Sequence, residues 1–418
     1  MHLRYSCRIY PTKSQQQALA RTFGCARVVY NDALALRKAA WKADRSKIPT
    51  GALAKSVITD AKKTDARSWL GSVSVDALQS SLRDLDTAYR NYFDSKSGKR
   101  AGHPVGLPVF KSRKDSRQSL RFSRNGFRLR GNGKLNLARI GDVRVRWSRP
   151  LPADPSSVTI VLDPSGRYRA SFVVDVEPGY LPELDTEIGI DLGLTTYAVM
   201  SDGTVIDNPR FLRKAERRLK AAQRELSRKA MGSKNRAKAR RKVARAHARV
   251  ADSRMDWMHK QTTRLIGENQ AVYLEDLNVR GLGRGRLAKS VHDAGWATFR
   301  RLIEYKAARY GRTVGIVPRA FPSSQLCSEC GHRDGPKPLA IREWACSACG
   351  VLHDRDLNAA RNILAAGRAD RLNACGGPVR PGVAIPRQAQ PVETGTHRNA
   401  SRPGRKPRAA NVTGIPVQ

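Results

Sequence analysis

Two short cysteine pairs constrain this chain more than any other feature. Cys327-Ser-Glu-Cys330 and Cys346-Ser-Ala-Cys349 are separated by fifteen residues. Each CxxC turn aims two thiolates at one point, and two such turns complete a tetrahedral site of four sulfurs, the pattern of a zinc ribbon. A closed four-cysteine site leaves no open coordination position, so Zn2+ here is expected to fold the module and take no part in catalysis. Trp344 is expected to pack over it. The remaining cysteines, Cys7, Cys25 and Cys375, are isolated, and seven in 418 residues are too few for a disulfide scaffold. They read as buried free thiols in a reducing compartment.

Charge narrows the partners. The chain carries 78 Lys and Arg against 36 Asp and Glu, a formal net charge of +42. That excludes an ordinary metabolic enzyme as the default and calls for a polyanion. The basic residues run through the whole chain, which favours extended contact with a nucleic-acid backbone over a single membrane patch. No apolar run approaches the roughly eighteen residues that span a bilayer. The start alternates Leu3, Tyr5, Cys7 and Ile9 with Arg4, Ser6 and Arg8, a β-strand pattern and no signal peptide. A soluble cytoplasmic protein is expected.

The hydrophobic period gives the organisation. After the opening strand, Pro11-Thr12-Lys13-Ser14 with Gln15 and Gln17 is helix-start chemistry, and Leu19, Phe23, Val29 and Leu34 follow at helical spacing. A helical block continues to about Phe93, with Leu78, Leu82, Leu85 and Tyr89 on one face. Residues 98–114 read as a linker rich in Gly, Pro, Lys and Arg. The period then becomes two, in short runs around Phe127, Leu135, Val143, Val158 and Tyr168 separated by Gly-containing turns. This predicts a small β-barrel that the N-terminal strand completes, with the helical block as an insertion. A second unit begins near Thr186 with Glu187-Ile-Gly-Ile-Asp-Leu-Gly193 and a hairpin. Residues 209–265 read as a helical pair, with Leu212, Leu219 and Leu226 seven residues apart. Between Pro209 and Gln270 there are 20 Lys and Arg against 5 Asp and Glu, a surplus better explained by a phosphate backbone than by a solvated face. Ala271 to Leu277 reads as a buried strand and Trp296 to Tyr310 as a helix. The segment 376–418, with seven prolines and one acid, reads as a disordered basic tail.

Three acidic positions stand out in this basic chain. Asp191 ends an apolar strand, Glu275 lies in the strand Val272-Tyr-Leu-Glu, and Asp356 precedes the helical Asn358-Ala-Ala-Arg-Asn-Ile363. An Asp at a strand end is commonly a turn former, and Asp356 alone also fits a helix N-cap. Glu275 is more telling, because a carboxylate in an apolar strand is expensive to bury unless paired or bound to metal. Together they suit a pair of Mg2+ ions that position water and stabilise a phosphodiester transition state.

In order, Gly189-Ile-Asp-Leu-Gly193, Leu274-Glu-Asp-Leu277, the two CxxC turns and His353-Asp-Arg-Asp-Leu-Asn-Ala-Ala-Arg-Asn-Ile363 resemble the TnpB family. These are transposon-encoded, RNA-guided nucleases related to the type V CRISPR effectors. Arg8-Ile-Tyr-Pro-Thr12, Phe23-Gly-Cys-Ala-Arg-Val-Val-Tyr-Asn31, Ala77-Leu-Gln-Ser-Ser-Leu-Arg-Asp-Leu85 and Phe321-Pro-Ser-Ser-Gln-Leu-Cys327 extend the resemblance over about residues 1–380.

The resemblance implies a multidomain α+β protein. Residues 1–10 and 106–182 would form a wedge-like β-barrel and 11–105 an inserted helical recognition domain. Residues 183–320 and 351–375 would form a RuvC-like, RNase H-fold domain containing the basic pair, with the zinc ribbon at 321–350 inserted. It makes Asp191, Glu275 and Asp356 the catalytic, Mg2+-binding carboxylates, with Asp354 as the alternative third ligand, and Cys327, Cys330, Cys346 and Cys349 the Zn2+ ligands. The expected activity is cleavage of double-stranded target DNA beside a short flanking motif. The expected partner is a guide RNA from the transposon end, on a monomeric protein associated with a prokaryotic nucleoid. Gln79 falls where a base-reading Gln is expected, and an amide can contact adenine through two hydrogen bonds. It equally fits a solvated helix position, and Val75 stands where some relatives carry a basic residue. Two other functions stay open: a catalytically weak RNA-guided regulator of transposition or transcription, and a transposase, which would also use three carboxylates.

Overall fold

The computed structural model describes residues 1–338 and 340–373. Cys375 and the expected basic tail at 376–418 lie outside the described residues. The chain is multidomain α+β, with one compact unit of residues 1–183, 209–267 and 286–312 and a second of 184–208, 268–285 and 313 onward.

The first unit holds a nearly closed antiparallel sheet. Its strands are β1 (His2–Tyr10), β2 (Gln118–Ser123), β3 (Phe127–Leu129), β4 (Leu135–Leu137), β5 (Gly141–Arg146), β6 (Pro155–Leu162) and β7 (Tyr168–Asp175), in the order β2-β6-β7-β1-β5-β4-β3. β1 sits between β7 and β5 and buries Tyr5, Cys7 and Ile9 while Arg4, Ser6 and Arg8 face out. The alternation seen in sequence is therefore the two-faced strand it predicts. Phe122, Leu135, Val143, Val158, Ile160 and Phe172 fill the core with them.

Between β1 and β2 stand α1 (Lys13–Asp44), α2 (Thr50–Ala54) and α3 (Val75–Lys96). Thr12 starts α1 through a capping box: its hydroxyl accepts the Gln15 N–H at 3.3 Å, and Gln15 Oε1 accepts the Thr12 N–H at 3.0 Å. The two long helices close over Val29, Ala33, Leu34, Leu78, Leu82 and Leu85. β2 escapes detection in sequence because only Leu120 and Phe122 mark it, among Ser and Arg.

The basic helical pair is α4 (Phe211–Ser227) and α5 (Lys234–Glu268). The pair packs within the first unit. So few apolar residues line it that polar anchors do much of the fixing. Asp252 on α5 accepts from Arg167 at 2.5 Å and Arg169 at 2.7 Å, both on or beside β7. The helices α7 (Ala288–Ala294) and α8 (Trp296–Tyr310) complete the unit. Asp293 on α7, nearly buried, accepts the Leu212 N–H at the start of α4 at 2.9 Å and pairs with Arg254 of α5 at 2.8 Å.

In the second unit the strands β8 (Glu187–Leu192), β9 (Thr196–Met200), β10 (Val205–Asp207), β11 (Ala271–Glu275) and β12 (Thr313–Val317) take the order β10-β9-β8-β11-β12. The first three are antiparallel, and β11 runs parallel to both β8 and β12. A short α6 (Val279–Leu282) follows β11. The ribbon hairpin β13 (Glu343–Ala345) and β14 (Leu352–Asp354) leads into α9 (Arg355–Asn373), which lies on the sheet. Glycines permit that close approach. A Cβ on Gly189 would stand 2.6 Å from Leu364 N, and the Tyr273 ring occupies the space that side chains at Gly315 and Gly367 would take. Among the described residues no helix is long and apolar enough to cross a membrane.

Candidate metal centres

Asp191 and Glu275 are brought together by strand register. β8 and β11 are parallel neighbours with Ile190 opposite Leu274, so the next residue of each strand, one carboxylate apiece, emerges at the same level on the same face. Asp356 is in the first turn of α9, and the N-cap role falls instead to Asp354, whose Oδ1 accepts the Leu357 N–H at 2.8 Å. That spends Asp354 on the helix end and leaves Asp356, two residues further on in the first turn, free of the capping role. At its other end α9 is pinned by Glu187, which accepts from Arg368 and Arg371, both at 2.5 Å.

The electrostatic surroundings of Asp191 include both other acids. Burial, then the charges of Asp356 and Glu275, push the Asp191 carboxyl up to about 7 against the opposing pull of Arg355 and Arg342. Burial also raises Glu275, with Arg319 opposing and Asp276 adding to the rise. Asp356 is half-buried and receives Arg342 Nη1 on both oxygens at 3.1 Å. The carboxylates are not drawn into one tight ligand sphere; among the described residues only the four cysteines gather their ligand atoms within 4.8 Å of one another. The chemistry of this donor set, three carboxylates offering hard oxygens, suits Mg2+.

The cysteine site passes a stricter test. Tetrahedral Zn–S bonds of about 2.3 Å require sulfurs about 3.8 Å apart. Cys327 and Cys349 Sγ are 3.6 Å apart, and Cys330 and Cys346 Sγ 3.7 Å. Trp344 packs on Cys327 and Cys346 as expected, with Lys337 Nζ 3.6 Å over its ring. Cys7 and Cys25 are buried free thiols.

Gln79 lies on the exposed face of α3 in line with Val75 and Arg83, opposite the buried Leu78, Leu82 and Leu85. It belongs to the first unit, and the structure assigns it no partner that would mark a base contact. Sequence reading missed Arg342, His353, Asn358 and Asn362, all of which touch one of the two centres or its supports. The only available signal was the spacing of the two asparagines at i and i+4 on a helix start, which puts both on one face.

Comparison with known proteins defines the class. Family profiles match residues 1–46 ("Helix-turn-helix domain"), 171–285 ("Probable transposase", the IS605 OrfB family) and 296–363 ("Cas12f1-like, TNB domain"). A Streptomyces pristinaespiralis protein named "Putative RNA-guided DNA endonuclease" is 46% identical over 381 residues, 90% of this chain and 92% of its own length. InsQ of Escherichia coli K12, which carries the same description, is 32% identical over 406 residues, 93% of this chain and 97% of its own. This chain belongs to the TnpB family. The fold agrees: a Cas12f1 chain solved with guide RNA and target DNA superimposes with a TM-score of 0.53 at 13% identity, over 87% of this chain and 98% of its own.

Proposed function

We propose that the chain is an RNA-guided DNA endonuclease of a transposon, cutting double-stranded DNA beside a short flanking motif. The observation that carries this reading is the placing of Asp191, Glu275 and Asp356 in one neighbourhood of a chain of net charge +42, where burial first, and then the charges of Asp356 and Glu275, push Asp191 up to about 7. Lys and Arg are abundant enough to neutralise any acid whose role is structural, so a retained acidic cluster is best explained as a cation site. The names of the relatives supply the substrate.

In this reading the second unit is a RuvC-like domain of RNase H fold, a proposal supported by three antiparallel strands followed by two parallel ones under one long helix. The sheet of the first unit is wedge-like, and α1 to α3 form the recognition domain, where Gln79 would read an adenine. The guide RNA comes from the transposon end and meets the basic α4 and α5, on a monomeric, nucleoid-associated protein.

Asp191 and Glu275, on stiff strand ends, would hold Mg2+ from the sheet side, and Asp356 from the helix side. Bound Mg2+ supplies Lewis acidity that activates water and offsets charge on the phosphodiester. Before that, Arg342 pairs with Asp356, and Asp191 must give up its proton to become a ligand. Zn2+ on Cys327, Cys330, Cys346 and Cys349 is structural, because no position is left open.

The test is to express the chain with its flanking transposon sequence, sequence the copurifying RNA, and challenge the complex with matched DNA across a library of flanking motifs in Mg2+. A discrete RNA and double-strand breaks are expected. Absence of both across the library would overturn the proposal.

A further inference from the structure

The two centres of the second unit are joined by a run of buried polar contacts. The turn carrying Cys327 is gripped from α9. Asn358 Oδ1 accepts the Ser328 N–H at 2.9 Å, and its Nδ2 donates to the Leu326 carbonyl at 2.7 Å. Asn362, one helical turn on, donates to the Leu326 and Ser323 carbonyls, both at 2.8 Å. Both amides are buried. They spend this capacity on one short segment, 323–328, when any nearby polar group would have satisfied them.

A third contact reaches the sulfur itself. His353, buried in β14, lies with Nε2 3.0 Å from Cys327 Sγ, its ring against Trp344 with centroids 4.8 Å apart. A zinc-bound thiolate would only accept, so with zinc in place Nε2 would carry the hydrogen and donate. One residue after His353, Asp354 caps α9, and the Arg355 N–H donates to the Arg342 carbonyl at 2.7 Å. Asp356 therefore lies between His353 and Asn358 on a segment held from both sides by the cysteine turn.

We propose that His353, Asn358 and Asn362 form a clamp through which the zinc ribbon sets the position of Asp356, so that zinc occupancy controls how tightly the carboxylates take a divalent ion. These are positioning residues. The inference rests on the assignment of zinc and magnesium above and adds a direction of control between them.

The test uses the full chain with its copurified RNA and Mn2+ as the probe, its free concentration read by electron paramagnetic resonance. Zinc is counted by elemental analysis, and Co2+ exchanged into the ribbon reports on sulfur bonding through its charge-transfer band. His353→Phe keeps the ring packing and removes the donor, and Asn362→Leu removes only donors. Each is expected to retain one zinc yet weaken Mn2+ binding by about tenfold, the scale of losing an outer partner of a ligand. H353F should also shift the cobalt band, and His353→Gln, which can still donate, should restore both. Chelating zinc from the unmodified protein should weaken Mn2+ binding at least as much, a comparison that stands even where a variant does not fold. Zinc-loaded variants and zinc-stripped protein that bind Mn2+ with unchanged affinity would overturn the clamp alone. Unmodified protein that holds no zinc, or holds zinc but binds no Mn2+, would overturn the metal assignments beneath it.

Discussion

Gly189→Ala should slow DNA cleavage far more than its size suggests. Gly189 sits in β8 two residues before Asp191, directly under α9. An added Cβ would lie 2.6 Å from Leu364 N and 2.8 Å from Leu364 Cβ, and closer still to the Ala360 carbonyl oxygen, where ordinary contact begins at 3.4 Å. These neighbours are mostly backbone, so no side chain can swing aside, and α9 must retreat by at least about 0.8 Å. The helix carries Asp356 two residues beyond its cap, while Asp191 stays with the strand. A misplacement of about 1 Å between reacting groups can cost about a hundredfold in rate, and overpacking a tight contact costs about 1–3 kcal/mol of stability. Single-turnover cleavage at saturating guide RNA and Mg2+ is the assay, with thermal unfolding in parallel. Gly267→Ala is the control, because a Cβ there meets nothing within 4 Å. It should leave the rate alone. If G189A cuts within twofold of the unmodified protein, the close packing of α9 on β8 does not position the third carboxylate.

Other expectations follow from individual groups. Asp191 is raised to about 7, so below that pH the metal-free chain holds a proton there that a cation must displace. The Mg2+ midpoint for cleavage should therefore rise about tenfold per unit as pH falls below 7 and be flat above about 8. The same upward shift favours the folded metal-free protein at low pH and is lost as pH rises through 7, so its thermal midpoint should fall over that range and Asp191→Asn should flatten the fall. Cys346→Ser should reduce bound zinc and expose residues 321–350 to protease, both read directly on the purified protein. Asp293→Ala removes both the cap on α4 and the partner of Arg254; a loss of about 3 kcal/mol is expected in denaturant unfolding, typical of breaking a buried pair. Gln79→Ala should relax or change preference at one position of the flanking motif without altering the cutting rate on permissive targets, measured across a motif library.

Much of this architecture is legible in the sequence where a pattern is local. The alternation in His2–Tyr10 is β1, the Thr12 to Gln15 chemistry is the cap of α1, and Trp296–Tyr310 coincides with α8. The four cysteines announce themselves by spacing alone. β2 and β12 are missed because their strand character comes from neighbours: Leu120 and Phe122 are buried by β6 and α3, and Thr313–Val317 is completed by β11 on one side with Gly315 leaving room for Tyr273. The carboxylates are visible as oddities in a basic chain, but their pairing depends on a parallel register between residues more than eighty positions apart. His353, Asn358 and Asn362 are invisible for a related reason. Their significance lies in which backbone they grip, and a helix-start Asn looks the same whether it faces solvent or a cysteine turn.

The most direct test of the central claim is single-turnover cleavage of matched DNA by the RNA-loaded chain in Mg2+, run beside Asp191→Ala, Glu275→Ala and Asp356→Ala with RNA affinity measured for each. The account predicts that the unmodified protein cuts, that each variant loses cutting by at least about a thousandfold, and that RNA affinity stays within a few fold, because on the proposed reading these residues would hold cations and contact no phosphate. Cutting that survives loss of any one of the three, or RNA binding that collapses with it, would contradict the account.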